Sequence, residues 1–105
     1  MEFVRVQIIL SVAITGRTGR FVAAQLLAGT IEEEWGPVEM ISETAGDRWR
    51  VSTLTMFLDP KTPEGDRKQK ASWAKGERSL WFDPLDAIRP IQDAEIFQVM
   101  SEPTR

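Results

Sequence analysis

Two stretches of this chain carry side chains whose type and spacing offer chemistry. The first is Thr15-Gly16-Arg17-Thr18-Gly19-Arg20, where two glycines expose backbone N–H groups beside two arginines. Such a turn suits an anion, and Arg17, Gly19 and Arg20 are its anion-binding candidates. The second is 61–78, with Lys61, Arg67, Lys68, Lys70, Lys75 and Arg78 against Glu64, Asp66 and Glu77. Cations spaced along such a segment can neutralise phosphates, and Trp73 among them can stack on an unpaired base. Beyond these the inventory is thin. Histidine and cysteine are both absent, which removes the commonest general base, the thiolate nucleophile and most transition-metal ligands.

The carboxylates do not repair that gap. Glu32, Glu33 and Glu34 are consecutive and cannot converge on one site. Asp59, Glu64 and Asp66 lack the alternation of a calcium loop, and Pro60 and Pro63 fall between them. Ser72 and Lys75 stand three apart in a polar stretch, a weak form of serine–lysine chemistry. The reading is therefore a protein that is not an enzyme, with no catalytic residues, no metal and no cofactor.

Preceded by a strand, the Thr15–Arg20 turn resembles the start of atypical short-chain dehydrogenases and related dinucleotide-sensing proteins. That resemblance implies a strand, a glycine-rich turn and a helix N-terminus cradling a pyrophosphate. The chain departs from the family pattern in two places. Ala13-Ile14 stands where the family has an earlier, strand-ending glycine. Glu32-Glu33-Glu34-Trp35 replaces the hydrophobic strand that ends in a ribose-binding acid. Nucleotide binding at Gly16–Gly19 is thus an alternative reading, and no NAD(P) affinity is expected.

The elements that must position these residues follow from hydrophobic period. Val4, Val6, Ile8, Leu10, Val12 and Ile14 recur at period two, which predicts a long strand with one buried face. Phe21–Ala28 has helix-forming composition, with Thr18 as N-cap and Gly29 past the end. A helix is favoured there over the return strand of a hairpin. Val38–Ile41 reads as a short strand, and Trp49, Val51, Thr53, Thr55 and Phe57 alternate as another, stopped by Asp59-Pro60. Ser79–Phe82 and 94–100 supply two more, with either one helical turn after Asp83-Pro84 or extended chain between them. The segment 61–78 reads as a basic loop or a polar helix. Trp49 and Trp81 lie within apolar strands as core residues, whereas Trp35 and Trp73 sit among polar neighbours, as interface tryptophans do.

Length and charge close the argument. At 105 residues with a net charge of −3, the chain amounts to a single domain, 1–105, with no overall attraction to polyanions or anionic membranes. The apolar run at 3–14 is interrupted by Arg5 and Gln7 and is too short to span a bilayer. The expected molecule is a soluble, cytoplasmic, mainly β (or α+β) domain. It has four to six strands in a small curved sheet or partly closed barrel, with one or two short helices. Its expected function is non-catalytic assembly, as a homo-oligomer or a subunit of a larger complex, and a small phage-type accessory or virion protein has these features. Trp35, Arg67, Lys68, Lys70, Trp73 and Lys75 are its partner-binding candidates. The alternative is a nucleic-acid-binding module working through 61–78.

Overall fold

The computed structural model describes residues 3–32, 34–53 and 75–99. They form six strands: β1 (Arg5–Ala13), β2 (Arg20–Ala28), β3 (Val38–Ser42), β4 (Arg48–Thr53), β5 (Glu77–Pro84) and β6 (Ile96–Val99). The strands close into a barrel in the order β1-β2-β5-β4-β3-β6. Every neighbouring pair is antiparallel. The mainly β expectation holds. The described residues contain no helix, and most of the 61–78 segment, read as a basic loop or a polar helix, lies outside them.

The inner face of each strand builds one core. Val4, Val6, Ile8, Val22, Ala24, Met40, Trp49, Val51, Leu80, Phe82, Phe97 and Val99 are all buried there. Three aromatic rings from different strands hold its centre. Phe82 and Phe97 meet edge to face with centroids 4.9 Å apart, and Trp49 lies 6.1 Å from Phe82 and 6.3 Å from Phe97. Such tilted contacts set the ring edges against the opposing π faces.

Two expectations are corrected, and one open alternative is decided. Phe21–Ala28 is strand β2, not a helix. It lies between β1 and β5 and pairs with both, and burial of Phe21, Val22 and Ala24 outweighs the local preference of alanine and leucine for helix. Of the two alternatives after Asp83-Pro84, the helical turn is absent: β5 runs through Pro84 and no helix follows over 85–91. Leu85 then donates its N–H to the Arg48 carbonyl at 3.1 Å. The Asp86 carboxylate accepts from the Arg48 backbone N–H at 2.8 Å, so it ties the chain to β4. Trp81 is half-buried rather than core. Its Nε1 donates to Asp83 Oδ1 at 2.9 Å, a bond available on the outer side of β5 and not in the apolar interior.

The long stripe of β1 is also interrupted. Ile8 faces Ala24, but Leu10 faces Ala23, so Ile9 is an extra residue in the ladder. A bulge of this kind exchanges the faces of everything beyond it. Val4, Val6 and Ile8 are buried, whereas Leu10, Val12 and Ile14 are exposed.

The boundaries of the basic segment shift as well. Residues 61–74 lie outside the described residues, as does the 54–58 part of the strand expected after Thr53. Arg78, counted with that segment, belongs to β5 and is buried. Its Nε donates to the Ile31 carbonyl at 3.1 Å, which anchors the β2–β3 connection. Burial lowers its pKa from the ordinary arginine value. Where β2 ends, Gly29 has φ +81°, and a Cβ there would run into the Phe3 carbonyl oxygen. Only glycine lets the chain cross the start of β1 so closely.

Candidate functional site

The bulge leaves β1 with one side unused. Along its whole length β1 pairs with β2. On the other side it pairs with β6 only through Arg5, Val6 and Gln7. The last bonds on that side are Ile8 N–H to the Glu95 carbonyl and Ala94 N–H to the Ile8 carbonyl, each 2.8 Å. At Ala94 the backbone adopts φ 68°, which turns the incoming chain away. From Ile9 to Ala13 the strand has no second neighbour among the described residues.

This edge is apolar. Ile9 is 46%, Leu10 49%, Val12 38% and Ile14 36% exposed. Between Ile9 and Ala13 there is no lysine, no proline and no charge, the features by which edge strands usually avoid pairing with other chains. Ser11 is the polar member of the run, and its Oγ accepts from Arg20 Nε at 2.6 Å.

The turn at the end of β1 is set by the sequence doublet. Arg17 donates its N–H to the Ile14 carbonyl at 3.0 Å, with Gly16 at φ +82°. The three anion-binding candidates do not converge. Arg17 is exposed in the turn, Arg20 is half-buried in β2 and engaged by Ser11, and Gly19 is buried. A Cβ on Gly19 would lie 2.5 Å from both Asp83 Oδ1 and the Trp81 ring, so Gly19 is needed for close packing. Because a strand follows the turn, it also lacks the helix N-terminus that a pyrophosphate cradle requires.

Beside the start of β6 lies a charged clamp. Arg89 donates to Asp47 at 2.8 and 2.9 Å, and to Glu95 at 2.6 and 3.2 Å. Glu95 also accepts from Ser42 Oγ at 2.6 Å and from the Gln92 N–H at 3.0 Å. The guanidinium stands 5.6 Å from the Trp49 ring centroid, within cation–π range. Hydrogen bonds from Arg89 hold Asp47 below the usual carboxylate pKa. Burial pushes Glu95 upward, but the bonds from Arg89, Ser42 and Gln92 outweigh it and leave Glu95 lowered too. Arg89 is correspondingly raised, first by Asp47 and then by Glu95. Trp49 Nε1 is buried without a hydrogen-bond partner among the described residues. An open cavity of about 320 Å³ separates Thr44 and Ala45 from Gln92–Glu95, with Arg89 on its wall. Both carboxylates already occupy that guanidinium. The arrangement is a clamp that fixes where β6 begins, and hence where the β1 edge becomes open.

The partner-binding candidates are dispersed. Trp35 is half-buried and packs against the barrel core. Its N–H donates to Thr53 Oγ1 at 3.2 Å, and its carbonyl accepts from the Thr53 N–H at 3.0 Å. Lys75 is exposed in the turn before β5, where its carbonyl accepts from Gln25 Nε2 at 2.9 Å. Arg67, Lys68, Lys70 and Trp73 lie outside the described residues. Sequence reasoning passed over Ile9, Arg89, Asp47 and Glu95.

Comparison with family models, curated proteins and solved structures gives no match for this chain.

Proposed function

We propose that this protein is a non-catalytic assembly protein that works as a homo-oligomer, and that a second copy of the chain docks on the β1 edge. The observation that carries this reading is the stretch Ile9–Ala13. Among the described residues it is hydrogen-bonded on one side only, and large apolar side chains are exposed along it. An added strand would satisfy its backbone groups and cover those side chains. A second copy suits the edge because self-pairing sets identical residues near one another. A charged edge would then repel itself, and this one carries no charge between Ile9 and Ala13.

The test is the mass in solution by light scattering at micromolar concentrations, for the native chain and for Leu10→Lys/Val12→Lys. Both substituted residues are exposed, so the barrel should fold and keep its circular dichroism. The native chain should show a dimer or higher mass, and the lysine variant a monomer. A native chain that stays monomeric across this range overturns the reading.

A further inference from the structure

We infer that the two copies meet antiparallel about a two-fold axis near Ser11, with Arg17 of each copy against Asp93 of the other. This inference rests on the β1 edge being the self-association surface. It adds the orientation of the copies and the contact that fixes it.

The orientation follows from the apolar face. Leu10, Val12 and Ile14 lie beyond the bulge on the exposed side of β1. An axis normal to the sheet makes the added strand antiparallel and keeps the two apolar faces on the same side. There they cover one another as cross-strand neighbours. A parallel arrangement of the same two edges would turn one apolar face away from the other. The two-fold relation also closes, so it gives a defined dimer rather than an open chain.

The open stretch is bounded at both ends. At Ile8 the Ala94–Glu95 backbone already occupies the edge, and at Ile14 the chain enters the turn closed by Arg17. An antiparallel copy therefore brings its Ile14–Arg17 turn against the Gln92–Ala94 turn of the first copy. Each copy presents one exposed cation and one exposed anion at this junction, Arg17 and Asp93. Neither has an ion-pair partner among the described residues. The two-fold makes the contact twice, and opposite charges in these places favour this orientation over the alternatives.

Charge exchange tests it. Sedimentation at low salt should compare the native chain with Arg17→Asp, with Asp93→Arg, and with both changes in one chain. Each single change places like charges together twice and should weaken dimerisation about tenfold. The double change should recover most of the native affinity. A native dimer that is indifferent to the single changes, or weakened by them without recovery in the double variant, overturns this placement and leaves the edge reading standing. A native chain that never dimerises overturns both.

Discussion

Leu10 pairs with Ala23, one residue short of the Val22 partner that an unbroken ladder from the Ile8–Ala24 pair would give it. That single step turns the second half of β1 inside out. Ahead of it the strand feeds the core, and beyond it Leu10 and Val12 face outward while Ser11 holds Arg20. The proposed assembly surface is a direct consequence of this one extra residue.

Gly19→Ala should destabilise the barrel by about 1–3 kcal/mol. The added methyl would lie 2.5 Å from the Trp81 ring, and the indole can yield only by straining its bond to Asp83. Chemical denaturation monitored by tryptophan fluorescence measures this. An unchanged midpoint would show that the turn can move away from β5.

Arg89→Ala should cost about 3 kcal/mol, because it leaves the Glu95 carboxylate without its charge partner. The Glu95 side chain is only 4% exposed, so water cannot replace the guanidinium. Arg5→Ala, which opens the more exposed pair with Glu43, should change stability far less. Comparing the two denaturation midpoints measures the difference, and equal losses would contradict the role given to the clamp.

The same clamp sets an acid limit. Asp47 and Glu95 are held below their ordinary values of 3.8 and 4.5, so the unfolded chain takes up their protons first. Their stabilisation is complete above those values and is lost as pH falls through the lower folded-state pKa values. Thermal midpoints should be level near neutral pH and fall below about pH 4. Arg89→Ala should fall less steeply there, since it has already lost the interaction. A native midpoint that holds steady into strong acid would contradict this.

Period-two alternation disclosed the strands because it reports burial on one face. Trp49 and Val51, both buried, show it working in β4. Composition misled at β2, where Ala23, Ala24, Leu26 and Leu27 favour helix locally and the deciding contacts come from β1 and from β5, more than fifty residues further along. Alternation overran in β1, because the bulge at Ile9 carries no glycine or other local signal and is set by where β6 arrives. The clamp was hidden for a related reason. Asp47 and Arg89 stand 42 positions apart, and nothing in either neighbourhood points to the other. The Thr15–Arg20 turn was legible as a turn, but its glycines serve chain reversal and Trp81 packing.

Hydrogen exchange at Ile9–Ala13 tests the central claim most directly, followed residue by residue as protein concentration rises. In the isolated barrel the amides of this stretch that face away from β2 have no acceptor among the described residues, and they should exchange quickly in dilute solution. With increasing concentration they should become protected, while the amides of β4, three strands away around the barrel, keep their dilute rates. Protection that stays constant over a range in which the mass rises would place the contact elsewhere and contradict the account.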